Sequence, residues 1–86
     1  MEIEYTVKAQ ADREFWKNSG QIIIQKKISA LIEDIKKTPF TGIGKPEELK
    51  HNLSGYWSRR ITDKHRLVYK VTEKKIYVAS LKDHYL

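Results

Sequence analysis

From Ile24 the large aliphatic residues recur at Ile28, Leu31 and Ile35, and beyond Thr38-Pro39 that spacing does not return. This switch of period constrains the fold more than any other feature of the chain. Ile32 flanks the stripe, while Lys26, Lys27, Glu33, Asp34, Lys36 and Lys37 fall mostly off it. The spacing predicts an amphipathic helix with one face on a core. About two heptads is too short to favour a coiled-coil seam. Thr38-Pro39 ends the helix, because the residue before Pro is pushed out of the helical region. Upstream, Ile3, Tyr5 and Val7 alternate with Glu2, Glu4 and Thr6, the pattern of a half-buried strand. Residues from about Lys8 to Asn18 lack Gly and Pro and read as a shorter helix, closed by Asn18-Ser19-Gly20.

Past the loop TPFTGIGKP, ordered by its Pro and bent by its Gly, the pattern becomes sheet-like. Strands are expected at Glu48-Leu53, Tyr56-Thr62, Arg66-Val71 and Ile76-Lys82, with turns at Ser54-Gly55, Asp63-Lys64 and Thr72 to Lys75. Connections this short force antiparallel neighbours, since a parallel pair needs a crossover of about a dozen residues. The expected fold class is α+β: two N-terminal helices packed on one face of a small, mostly antiparallel twisted sheet. At 86 residues, a single domain over 1–86 is expected.

The chain has no Cys, which excludes disulfides and thiolate metal sites and fits a cytoplasmic location. No apolar run approaches the roughly 18 residues of a membrane helix, and MEIEYTV lacks the basic start and apolar stretch of a signal peptide. No membrane role is expected. Three His without tight spacing specify no metal site, and nucleotide-cofactor and serine-hydrolase motifs are missing; no cofactor is expected.

The net charge of +6 is uneven. Positions 1–44 hold 7 basic and 6 acidic residues, positions 45–86 hold 10 and 5. The stretch KHNLSGYWSRRITDKHRLVY carries most of the excess. It is either a sheet edge kept soluble by charge or a surface that holds a polyanion. Alternation puts Trp57, Arg59 and Ile61 on one face and Ser58, Arg60 and Thr62 on the other. Leu67, Tyr69 and Val71 go with the core, and Arg66, Val68 and Lys70 with the open face. Arg60, Arg66 and Lys70 then converge on one surface. Guanidinium groups suit phosphates through paired charge-assisted hydrogen bonds. The stem of Arg59 instead lies over the rim of the core, by its sharing a face with Trp57.

Glu47 follows Pro46 at the mouth of the basic segment and is a candidate proton acceptor, with Glu48 a rival that alternation does not exclude. His84, beside Tyr85 after the last strand, is a candidate proton donor, since imidazole titrates near neutral pH. His51 and His65 read equally as surface residues. A carboxylate, an Arg cluster and a terminal His are compatible with RNA cleavage, in which the 2′-hydroxyl is the nucleophile. Nucleic-acid binding without catalysis and a protein-interaction role remain open alternatives on composition and spacing.

The segments GKPE, LKHNLSG, WSRRI, HRLVY and the terminal HY, in this order over about residues 38–85, resemble the YoeB-type (Txe) toxins of the RelE superfamily. The resemblance implies a RelE-like fold and the toxin of a type II toxin–antitoxin pair, an enzyme that cuts mRNA in the ribosomal A site without a metal. It implies neutralisation by a YefM/Phd-type antitoxin, a homodimer, and operator DNA contacted only through the antitoxin complex. Carried over residue by residue, Glu47 is the general base, Arg66 the phosphate-stabilising cation, His84 the general acid, and Tyr85 lies beside it. Lys50, His51, Arg59 and Arg60 fall in segments expected to contact RNA. The match favours Glu47 over Glu48. Leu86 follows the Tyr that commonly ends these chains, and Lys82-Asp83 is less basic than usual.

Overall fold

Thr6 closes the first strand, β1 (Glu2–Tyr5), and opens the first helix, α1 (Val7–Ser19), in a computed structural model that describes residues 1–83. Its Oγ1 accepts the Ala9 N–H at 3.2 Å, satisfying one of the donors a helix start leaves unpaired, and donates to the Ala79 carbonyl at 2.9 Å. α1 buries Ala9, Asp12 and Trp16, one stripe at steps of three and four. The second helix, α2 (Ile22–Lys37), buries Ile28, Leu31, Ile32 and Ile35, and Ile24 is half-buried, as the sequence spacing requires. The Thr38 N–H bonds the Asp34 carbonyl at 2.8 Å and the chain leaves the helix there.

The remaining strands are β2 (Glu47–Glu48), β3 (Tyr56–Arg60), β4 (Arg66–Val71) and β5 (Lys75–Ser80), in sheet order β1-β5-β4-β3-β2. β2–β3, β3–β4 and β4–β5 are antiparallel, as the short turns dictate. β1 joins β5 in parallel, pairing Glu2 with Lys75 and Tyr5 with Val78, so the sheet is mixed. The two helices cover one face. There Leu31, Ile35 and Ala9 meet Leu67, Tyr69, Ile76 and Val78 in a single apolar cluster. Fully burying each large aliphatic side chain is worth about 1.5–3 kcal/mol.

Val7, expected in the half-buried first strand, instead opens α1 and is exposed, because Thr6 caps the helix. Three later boundaries also differ from the sequence expectation, each for a local reason. The expected strand Glu48-Leu53 ends after Glu48. Leu49 keeps one ladder bond to the Tyr56 carbonyl, then His51 turns to φ 59° and residues His51–Leu53 form a 3₁₀ turn. β3 stops at Arg60 because Ile61 and Thr62 both donate to the His65 carbonyl, closing a turn. β5 stops at Ser80 because Leu81 leaves the ladder for α1.

Candidate active site

The pairing register sorts the side chains of the uncovered sheet face into rows. Directly opposed residues in an antiparallel pair point to the same face. Arg60 opposes Arg66; Glu47 opposes Ser58, which opposes Val68; Tyr56 opposes Lys70, which opposes Tyr77. Since residues two apart on a strand share a face, these three rows lie on one surface, about 7 Å between rows. Glu47, Arg60 and Arg66 thus stand on the same side, and Glu48, opposite Trp57, points to the helix side. The sheet register therefore separates the two glutamates that alternation left undecided.

Glu47 is exposed, and Arg66 and Arg60 are half-buried. Arg60 Nη1 lies 3.8 Å from Asp63 Oδ1, and the Arg60 Nε is enclosed with no hydrogen-bond partner among the described residues. In the middle row Ser58 and Val68 are buried although they face away from the helices. Lys50 and His51 are exposed in the turn after β2, which with Glu47 and Glu48 borders a hollow of about 330 Å³.

Arg59, expected in a segment that contacts RNA, is instead enclosed by the fold. Its side chain is at 0% exposure on the helix side of the sheet. All five N–H groups of its guanidinium are engaged. Nε donates to Tyr69 Oη at 3.2 Å, Nη1 to Asp34 Oδ2 at 2.6 Å and the Ile43 carbonyl at 3.1 Å, and Nη2 to the Thr38 and Thr41 carbonyls at 2.6 and 2.8 Å. Burying a guanidinium is tolerable only with this degree of pairing. The arginine closes the loop between α2 and β2 onto the sheet. The hydrogen bond from Arg59 holds the Asp34 carboxyl below the usual carboxylate range, helped by the Ile43 N–H. Burial pushes the Tyr69 hydroxyl up, so it keeps its proton and donates it to the Pro39 carbonyl at 2.6 Å. A Cβ on Gly44, at φ 80°, would come within 2.6 Å of Leu31 Cδ2, so the loop passes close to α2 only because Gly44 lacks a side chain.

His84 and Tyr85 lie outside the described residues. The chain that leads to them is held at four points. Asp12 accepts the Leu81 N–H at 2.9 Å and Trp16 Nε1 donates to the Leu81 carbonyl at 2.8 Å. The Asp83 N–H donates to His65 Nδ1 at 2.8 Å, and the Arg66 N–H donates to the Asp83 carbonyl at 3.1 Å. The His65 ring also meets Trp16 edge-on, centroids 4.9 Å apart. His65 and Asp12 are the residues that sequence reasoning missed. Asp12 had a signal, since it falls on the Ala9–Trp16 stripe of α1 and a carboxylate there needs a partner. His65 had none, because its partner is a backbone N–H far along the chain.

A family model described as a YoeB-like toxin of a bacterial type II toxin-antitoxin system matches residues 5–85. The chain is 48% identical to Toxin YoeB of Escherichia coli K12 over 85 residues, 99% of this chain and 100% of the relative. It superposes on a YoeB/ParE toxin from Agrobacterium tumefaciens with a TM-score of 0.95 at 42% identity, covering 99% of this chain and 100% of that one. A Staphylococcus aureus YoeB, solved as a dimer, gives a TM-score of 0.90 at 42% identity over 99% of this chain and 98% of that one. A Staphylococcus aureus YoeB in a heterotetrameric complex with YefM gives 0.89, at the same identity and coverage.

Proposed function

Because the chain belongs to the YoeB-like toxins of bacterial type II toxin–antitoxin systems, we propose that it is a ribosome-dependent endoribonuclease that cuts mRNA in the A site and so stops translation. The observation that carries the reading is the shared surface of Glu47, Arg60 and Arg66. RNA brings its own nucleophile. Glu47 takes the proton of a 2′-hydroxyl, and the freed oxygen attacks the adjacent phosphorus. Arg66 stabilises the charge that gathers on the phosphoryl oxygens. The bond to the 5′-oxygen breaks, and His84 protonates that oxygen as it leaves, with Tyr85 beside it. The products are a 2′,3′-cyclic phosphate and a 5′-hydroxyl end. Every proton is handled by a side chain or by the RNA, so the reaction needs no metal and no cofactor. DNA, lacking the 2′-hydroxyl, is not a substrate.

Lys50, His51 and Arg60 hold the flanking mRNA and ribosomal RNA. The YoeB relative solved as a dimer and the one solved with YefM support the partners of this reading: a YefM/Phd-type antitoxin covers the basic face, operator DNA is reached through that complex, and the free toxin forms a homodimer in the cytoplasm. None of the helices among the described residues is long and apolar enough to cross a membrane.

Primer extension on mRNA translated in a purified system tests the reading. New 5′ ends in the A-site codon are expected with the wild type, and Glu47→Gln or His84→Ala should each slow their appearance by about 10²–10⁴. Wild-type cutting by a folded Glu47→Gln/His84→Ala double variant would end this mechanism.

A further inference from the structure

The row below Glu47 on the uncovered face has no part in the chemistry above. Tyr56, Lys70 and Tyr77 oppose one another across β3, β4 and β5. With Thr6, Thr72 and Ala79 they border a hollow of about 260 Å³, a little below the volume of sites that enclose a whole small molecule. Both tyrosines are half-buried, and neither ring stacks on another aromatic ring among the described residues. Lys70 is exposed and meets no carboxylate among the described residues, unlike Lys75 nearby, which pairs with Glu4. The Lys70 ammonium instead lies 5.6 Å from the centre of the Tyr56 ring.

Two unstacked rings flanking an uncompensated cation match what single-stranded nucleic acid offers: flat bases beside phosphates. Stacking uses a π-face that every base has, and the ammonium adds a point charge for the backbone. The place matters as much as the chemistry. The row is one step along β3 from Ser58, the partner of Glu47, and so about 7 Å from it. An extended strand with one linkage at Glu47 and Arg66 passes over this hollow with its neighbouring nucleotide.

We propose that Tyr56, Lys70 and Tyr77 form a nucleotide subsite for single-stranded mRNA next to the scissile step, a base lying on a tyrosine ring and Lys70 holding a phosphate. The proposal rests on the ribonuclease reading given above. Because stacking tolerates any base, the subsite strengthens binding without selecting a codon.

The test follows initial cleavage rates against the concentration of ribosomes programmed with one mRNA, at several salt concentrations. For Tyr56→Leu/Tyr77→Leu a KM raised about tenfold is expected, the loss falling more on KM than on kcat. Lys70→Gln should lower the salt slope by about 0.7, the share of one phosphate contact on a single strand. Lys74→Gln, in the β4–β5 turn outside the row, serves as the control and matches the wild type. Thermal melts establish folding. Should the tyrosine pair not fold, Lys70→Glu at its exposed position carries the test, with a KM above that of Lys70→Gln. Unchanged KM and salt slope in folded variants overturn the subsite and leave the wild-type cleavage reading standing. A wild type that never cuts programmed ribosomes overturns both. Weaker antitoxin binding at unchanged KM assigns the row to a protein partner and overturns the RNA subsite.

Discussion

Arg59 and Arg60 are neighbours in sequence and opposites in use. Arg59 faces the helices, fully buried, with its guanidinium closed off by Asp34, Tyr69 and three loop carbonyls. Arg60 faces away, with one long contact to Asp63 and an Nε that bonds nothing among the described residues. The same side chain is a structural bolt on one face and keeps an unused donor on the other. What separates them is the period-two alternation of β3, which sends consecutive residues to opposite sides. Hydrogen-bonding capacity that the fold leaves unused is what a surface has to offer a substrate.

The comparison breaks most visibly at Arg59. Arg59→Ala leaves the Thr38, Thr41 and Ile43 carbonyls without the guanidinium donor, and Asp34 without its cation although the Ile43 N–H still reaches it. A loss of about 3–5 kcal/mol is expected, a large part of the stability of a domain this size, measured by urea denaturation. Arg66→Ala should do the reverse. Its melting temperature stays near that of the wild type, while cleavage falls about 10²–10³ through loss of a transition-state contact. If both variants unfold alike, the division between the faces fails. Gly44→Ala sharpens the helix side further. Strain at positive φ and the contact with Leu31 should cost about 1–3 kcal/mol in urea denaturation, with kcat unchanged in the folded fraction. Arg60→Gln is milder: cleavage weakens less than for Arg66→Ala, and the salt slope drops by about 0.7.

The smallest effect is a dependence on pH. The Asp34 carboxyl titrates lower in the folded chain than in the unfolded one, because Arg59 holds its ionised form. The unfolded chain therefore takes up the proton first as the pH falls. The stabilisation is complete above the ordinary Asp value near 3.8 and is lost as the pH drops through the lower folded value. Urea midpoints from pH 6 to pH 2.5 should fall less steeply for Asp34→Asn than for the wild type. Parallel curves would show that the pair contributes no acid sensitivity.

Much of this was legible in the sequence, and what was not has identifiable causes. The Ile24–Ile35 stripe placed α2, and alternation placed Arg60, Arg66 and Lys70 opposite Leu67 and Tyr69. These are local signals, carried by spacing within one element. Arg59 was assigned to the correct face, yet its depth was not foreseen, because its partners Asp34 and Thr38 to Ile43 come from a loop folded back over the sheet. The 3₁₀ turn at His51–Leu53 depends on a positive φ at a non-glycine residue, which no local pattern announces. The parallel pairing of β1 with β5 leaves no trace in either segment, since nothing local distinguishes a strand by its distant neighbour. Within the candidate site, Glu47 and Arg66 were candidates from position and alternation and took their expected roles from family segments, whereas the hold of His65 on Asp83 exists only in three dimensions.

That parallel seam has a bearing on when the molecule comes into being. Thr6 bonds to the backbone of Val78 and Ala79, the latter 73 positions away, so β1 settles only against β5. Closing so long a loop is entropically slow and brings no gain until both ends are present. The antiparallel strands β3, β4 and β5, joined by short turns, are therefore expected to assemble first, with β1 sealing onto β5 last.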